Sequence, residues 1–339
     1  MSILQNSTQN QGTYGSPNPS LNYRYKGRGS GNRRFPDYLY ILSKKELNMV
    51  IYITMLCTGY SLRAPSSQNP REFLQNLENK VDMTTETRRY PVGYKDLPPS
   101  TGTIPETDKF DNDFFKYSKI QTDKMDAGIR ILLEVAHEAM MDANLDIASL
   151  RGSNTGVYIG HCFSDFFAKT KYDDTATGYE IVNGAHAMAA NKISYFYDFH
   201  GPSIVYDTAC SSSLVALNQA VNDMRLGIID RAIVGGISLT LDPTINTLFN
   251  AFHMLSPTGK CYSFDDKANG YCRSEGIVAI VLERDTVCET GICRVLGTSV
   301  NSDGHKAKGI TFPSGAQQCD NAQKAFKNAN ITPNDICYI

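Results

Sequence analysis

The chain has 339 residues, 41% of them hydrophobic and 20% charged, with a formal net charge of −2. That length and apolar content supply one large buried core or two ordinary ones, and the balanced charge excludes a protein that holds nucleic acid through a general basic excess. Nine cysteines at irregular spacing, without a secretory signal ahead of them, predict reduced thiols in a cytoplasmic protein rather than a disulfide framework.

Residues 1–45 differ from the rest. The first twenty are rich in Ser, Asn, Gln, Gly and Pro, cannot furnish a core, and are expected to be disordered. A basic stretch follows (Arg24, Lys26, Arg28, Arg33, Arg34, Lys44, Lys45), interleaved with Tyr23, Tyr25, Phe35, Tyr38 and Tyr40. Such a mixture can hold RNA loosely, but a solvated leader is the simpler reading, and no nucleic-acid partner is expected. The apolar run from Met49 to Cys57 is too short to span a membrane, and its β-branched content favours a buried strand. Residues 61–118 are loop-rich, broken by Pro65, Pro70, Pro91, Pro98, Pro99 and Pro105, with one short helix over Arg71–Leu77.

From Asp123 onward, Met125, Ile129, Leu132, Ala136, Ala139 or Met140, and Ala143 trace one face of a long helix. His137 lies off that stripe and reads as structural. Gly156–Gly160 is a short buried strand. His161 and Cys162 follow it, but neighbours on a strand point apart, so they do not read as a catalytic pair. Ile204-Val205-Tyr206, set off by Gly201-Pro202, predicts another strand. Leu214, Leu217, Val221 and Met224 then recur at helical spacing. Between strand and helix lies Asp207-Thr208-Ala209-Cys210-Ser211-Ser212-Ser213, which puts Cys210 on a strand-to-helix turn. The free N–H groups and positive dipole at a helix start favour thiolate over thiol. Small neighbours leave room for a carbonyl to approach, and backbone N–H groups at the turn can stabilise the resulting oxyanion. Cys210 therefore reads as an acyl-transfer nucleophile, the alternative being a buried, inert cysteine. Ala232–Ile237 and Ile277–Leu282 are continuous apolar runs suited to strands buried on both faces, and strands alternating with helices predict α/β layers. Cys288 and Cys293 are the closest cysteine pair, but no second pair or histidine cluster accompanies them, so no metal site is expected.

Gly201-Pro202-Ser203 followed by Asp207-Thr208-Ala209-Cys210-Ser211-Ser212-Ser213-Leu214 resembles the nucleophile signature of β-ketoacyl synthases, the condensing enzymes of fatty-acid and polyketide assembly. Other stretches match in the same order. They include Met125-Asp126 with Arg130–Glu134, Leu150–Gly160, Ala190–Ser194, Val234-Gly235-Gly236, Met254–Pro257, Ser263-Phe264-Asp265, Gly270–Gly276, Asn301–Gly304 and Gly309–Gly315. The wording of Tyr271–Glu275 and Thr311–Gly315 is most similar to the ketosynthase of animal-type fatty acid synthases. The match runs from about residue 48 to the last residue.

This resemblance implies an α/β, thiolase-like fold, layered α-β-α-β-α, with its first half complete and its second truncated. It divides the chain into a polar and basic leader (1–45), a ketosynthase N-terminal half (46–285) and the start of a C-terminal half (286–339). The latter begins with a strand over Cys293–Val300 and has its first helix from Gln317 to Asn328. It also implies a small-residue turn after the first strand, at Thr58-Gly59-Tyr60. In the family, Ile336–Ile339 leads into a His-Gly-Thr-Gly-Thr motif, and a second catalytic histidine follows in an Asn-x-Gly-His context. None of the six histidines here sits in either motif; His305 occupies a variable loop position. Cys210 is thus the one catalytic residue carried over, with no residue assigned to a cofactor or metal.

The implied reaction is thioester formation on Cys210, then condensation with decarboxylating malonyl-carrier protein. No cofactor is bound directly, since phosphopantetheine arrives on the acyl carrier protein. The implied partners are acyl- and malonyl-carrier protein and, in a full-length parent, a second copy in a homodimer; no membrane is involved. On this template the 339 residues alone are inactive in condensation and aggregate or need a partner. Two alternatives stand beside this reading: a catalytically incompetent thiolase-fold module for dimerisation or carrier-protein binding, and a ketosynthase fragment of a polyketide synthase.

Overall fold

A computed structural model describes residues 55–87, 89–166, 177–288 and 290–338. The 1–45 leader and the first part of the Met49–Cys57 run lie outside the described residues. The strands are β1 (Met55–Arg63), β2 (Thr85–Glu86), β3 (Ser100–Thr101), β4 (Gly156–His161), β5 (Ser203–Tyr206), β6 (Arg231–Ser238), β7 (Gly276–Arg284) and β8 (Cys293–Val295). The helices are α1 (Pro70–Glu78), α2 (Lys119–Asp123), α3 (Ala127–Asp142), α4 (Tyr179–Gly184), α5 (Met188–Tyr197), α6 (Ser212–Arg225), α7 (Thr244–Ala251) and α8 (Gly315–Ala329).

One six-stranded sheet, in the order β5-β4-β6-β7-β1-β8, organises these elements. β5, β4 and β6 run parallel, whereas β7, β1 and β8 add on antiparallel. Every residue of β4 is buried, and in β6 all but the two end residues are. This is the continuous apolar pattern that a sheet covered on both faces demands. One face packs on α3 and α5 through Ile129, Leu132, Ala136, Ile193, Val157 and Ile159. The other packs on α6 through Ala216, Ala220, Met224, Tyr158 and Leu282.

The expected long helix from Asp123 is two helices. The chain breaks at Lys124–Asp126 because the Asp126 side chain, buried at 6% exposure, accepts from the Gly128 N–H at 2.6 Å and so caps α3. The turn implied at Thr58-Gly59-Tyr60 is not a turn. β1 runs on to Arg63 with a bulge between Cys57 and Gly59. Gly59 serves close packing instead, since a Cβ there would stand 2.4 Å from both the Ala139 carbonyl oxygen and the Ala143 nitrogen. His137 hydrogen-bonds the Tyr197 hydroxyl at 3.0 Å, a structural contact between α3 and α5.

The irregular segment between β1 and α3 is held to the sheet by Glu275, whose side chain is 2% exposed. Its carboxylate accepts from Arg89 Nε (3.2 Å) and Nη2 (3.0 Å), from the Ile104 N–H (2.7 Å) and from the Thr240 N–H (3.2 Å). A buried carboxylate needs this many donors to offset its desolvation. Arg89→Ala leaves that charge half-compensated and is expected to cost about 3 kcal/mol, the lower end for breaking a buried pair. Denaturant unfolding measures it, and a loss below about 1 kcal/mol would be the signature of a mere surface pair.

Candidate active site

Cys210 lies on a 3-10 turn, Ala209–Ser211, between the end of β5 and the first residue of α6, and its side chain is exposed. The positive end of the α6 dipole is therefore directed at the turn that carries the sulfur. Ala209, immediately before it, has φ +53°, a left-handed conformation that a residue with a Cβ adopts only when its surroundings impose it.

Those surroundings are a closed set of short hydrogen bonds. The Ser212 hydroxyl accepts from the Thr208 N–H (2.9 Å) and donates to the Ala209 carbonyl (2.7 Å). The Ser211 hydroxyl donates to the Thr208 carbonyl at 2.8 Å. Asp207 Oδ1 accepts from the Ala209 N–H at 3.2 Å. The Cys162 thiol is bonded to Asp207; burial and the Asp207 carboxylate, with Cys210 also close by, push it up to about 12, so it stays protonated and acts as a donor.

α6 reaches this position because small residues let it. A Cβ on Gly160 would lie 2.4 Å from the Ser213 nitrogen, and one on Gly236, its neighbour across the β4–β6 ladder, 3.1 Å from the Ser213 Cβ. The first turn of α6 thus rests on two strands with nothing between. Further along, the Tyr158 hydroxyl donates to Asp223 at 2.6 Å and Gln219 donates to the other Asp223 oxygen at 2.8 Å, fixing the helix about its axis. The buried face is the one the spacing predicts at Leu217, Val221 and Met224, with one exception. Leu214 is 60% exposed, and Ala216, Ala220, Val221 and Met224 make the contact.

His161 and Cys162 do not pair with each other. His161 is 1% exposed and stacks on His186 with ring centroids 4.5 Å apart, while Cys162 turns to Asp207. Burial and then the neighbouring His186 lower the His161 pKa, against the pull of Asp126, a backbone hydrogen bond at Phe163, and Asp207. Its Nδ1 has no hydrogen-bond partner among the described residues. Tyr271 also comes near Cys210. Its phenol is raised mainly by burial, with Arg273 acting against the shift and the neighbouring Cys210 adding to it. Phe249 meets both Tyr271 and Phe163 edge-on, at centroid distances of 6.4 and 6.1 Å. Among the described residues no group of three or more His, Cys, Asp and Glu side chains could hold a metal ion.

A six-stranded α/β layer with a cysteine on a strained strand-to-helix turn is the architecture of the thiolase-like fold, and comparison with known proteins agrees. Residues 55–287 match the model for the β-ketoacyl synthase N-terminal domain and residues 292–339 that for its C-terminal domain. The chain is 40% identical over 287 residues to a fatty acid synthase of the goose Anser anser anser, covering 84% of this chain and 82% of that one. It is also 40% identical over 241 residues to a phenolphthiocerol/phthiocerol polyketide synthase of Mycobacterium tuberculosis, covering 70% of this chain and 13% of that one. Among solved structures, the ketosynthase from module 6 of the bacillaene synthase of Bacillus subtilis 168 superposes with TM-score 0.75 at 31% identity, covering 83% of this chain and 49% of its own. An oxazolomycin ketosynthase domain from Streptomyces albus gives 0.76 at 28%, with 83% and 52% covered. The chain thus spans about half the length of these ketosynthases. It belongs to the β-ketoacyl synthase family.

Two outcomes follow from this geometry. Ala209→Val is expected to destabilise the fold by about 1–3 kcal/mol, because a β-branched residue fits the left-handed region worse than alanine, whereas Ala209→Gly is tolerated; equal unfolding midpoints for the two variants would contradict the strain. His161 is held neutral in the folded state, while in the unfolded chain it titrates near 6.5. Its contribution to stability is therefore full above that pH and lost as pH falls below it. His161→Phe should flatten the stability–pH curve on that acid side, as read by chemical unfolding at a series of pH values.

Proposed function

We propose that Cys210 is the acyl-accepting nucleophile of a β-ketoacyl-[acyl-carrier-protein] synthase. The observation that carries this reading is the exposed sulfur on a turn held by Asp207, Ser211 and Ser212 at the start of α6. The Cys210 thiolate attacks the carbonyl of an acyl thioester. The charge that develops on oxygen meets backbone N–H groups of the turn, and the carrier thiolate leaves. Phe163, Phe249 and Tyr271 offer apolar surface beside the acyl chain. Condensation then joins this acyl group to the carbanion released when a malonyl thioester loses carbon dioxide. In the family that second step uses two histidines in sequence contexts that these 339 residues do not contain.

The thioesters arrive on the phosphopantetheine of an acyl carrier protein, which is the partner this reading requires. The identity to the goose fatty acid synthase over 84% of the chain supports a fatty-acid product. The equal identity to a mycobacterial polyketide synthase, over 70%, supports the polyketide reading of the same chemistry. A homodimer is also proposed. The open edge at β5, where Ile204 is 40% exposed, suits such an interface better than the strand around Ala232, which is interior to the sheet. A cytoplasmic location belongs to the same proposed reading; no helix among the described residues is long and apolar enough to cross a membrane.

Mass spectrometry after exposure to an acyl-thioester donor tests the proposal. The expected result is one acyl adduct, on Cys210, absent in Cys210→Ala, and no β-ketoacyl product from these residues alone when malonyl thioester is added. No adduct, or labelling spread over other cysteines, would remove the nucleophile assignment.

A further inference from the structure

β1 and β8 set Cys57 and Cys293 directly opposite each other in an antiparallel ladder. Opposed residues in such ladders have Cα atoms about 4.5–5.5 Å apart, within the range of about 4.4–6.8 Å that a disulfide spans. Their side chains share one face of the sheet, against the core formed with Tyr158, Ala220, Met224 and Leu282. Both are free thiols, and the Cys57 thiol donates to the Gly59 carbonyl at 3.7 Å.

The pair is unequal in a way that favours exchange. Cys57 is 7% exposed; the neighbouring Cys293 sulfur, and then burial, hold its proton firmly. Cys293 sits on the edge strand and is only half-buried, and the neighbouring Cys57 thiol lowers it to about 7. One sulfur is thus accessible and readily ionised, and the other is a protonated thiol in contact with it, the arrangement of an attacking and a resolving cysteine.

We propose that Cys57 and Cys293 form a thiol pair that closes to an intramolecular disulfide in the presence of a small-molecule disulfide oxidant, stapling β8 to β1. The Cys293 thiolate attacks one sulfur of the oxidant RSSR, forming Cys293–S–S–R and releasing RS⁻. Cys57 gives up its proton and attacks the Cys293 sulfur, expelling the second RS⁻. The two cysteines together lose two electrons and two protons, and the oxidant is reduced to two RSH.

The bond falls at a consequential place. β8 is three residues long and pairs only with β1 among the described strands, and it opens the segment matched by the C-terminal family domain. A cross-link there makes permanent a contact that otherwise rests on a short ladder, and it closes a long loop in the unfolded chain, where cross-links stabilise most.

The full chain equilibrated in buffers of oxidised and reduced glutathione, then acid-quenched, denatured, alkylated with a maleimide and peptide-mapped, tests the proposal. The expected result is joint loss of both thiols as the oxidised fraction rises, with one cross-linked peptide joining Cys57 to Cys293. In Cys57→Ser, Cys293 should instead accumulate as the glutathione mixed disulfide, which identifies it as the attacker. Full alkylation of both cysteines at the most oxidising ratio, or cross-linking of either to another cysteine, would overturn the proposal. The unmodified chain decides it even where a variant fails to fold.

Discussion

The distance between the first turn of α6 and the sheet constrains everything else at this site. With hydrogens in place of side chains at Gly160 and Gly236, the backbone of Ser212 and Ser213 descends onto β4 and β6. The chain leaving β5 then has only a few residues in which to reverse onto the helix. That shortness puts Ala209 in the left-handed region and turns Cys210 outward. The cost, of order 1–3 kcal/mol for such a backbone, is borne by packing elsewhere, chiefly the buried Tyr158–Asp223–Gln219 contacts that fix the same helix.

Around that turn the polar groups are arranged by role. Asp207, itself exposed, takes the Ala209 N–H and lies beside the Cys162 thiol, so its charge serves the turn's shape. Cys162 remains a thiol under that carboxylate while Cys210 is out in solvent, and two cysteines near each other therefore have different chemistry. His161 is buried and stacked on His186, and burial and then that neighbour lower its pKa. The histidines of this site thus read as packing groups, and the chemistry that the described residues supply lies in one sulfur, one helix start and the N–H groups of a turn.

Much of this was legible in the sequence, and for identifiable reasons. The unbroken apolar runs of β4 and β6 are strands covered on both faces as expected, whereas β7 leaves Val278 36% exposed and Ile280 only partly buried; the Ser-rich stretch between a strand and a helical repeat placed Cys210 on the turn that joins them. What escaped was decided by backbone contact. The helical spacing placed Leu217, Val221 and Met224 on the core side as the structure has them, but Leu214 is exposed, and Ala216 and Ala220 complete the buried face. The resemblance implied a turn at Thr58-Gly59-Tyr60, whereas Gly59 is required by the close approach of the α3 backbone. The break before α3 was signalled by Asp126, a capping residue set inside an apolar period. The glycines of Gly160 and Val234-Gly235-Gly236 were visible too, yet their partner at Ser213 is far away in sequence and leaves no spacing to read.

The claim that the glycine seat positions the nucleophile is tested most directly by the rate of acyl-adduct formation on Cys210 in Gly160→Ala. Circular dichroism would establish that the variant remains folded. A methyl group aimed at the Ser213 backbone nitrogen must displace the turn by a fraction of an ångström or more, and misplacement on that scale costs up to about a hundredfold in rate. A folded Gly160→Ala protein that acylates Cys210 at least tenfold more slowly, with its other cysteines labelled as before, is the result expected. Acylation at the unaltered rate in the folded variant would contradict the account.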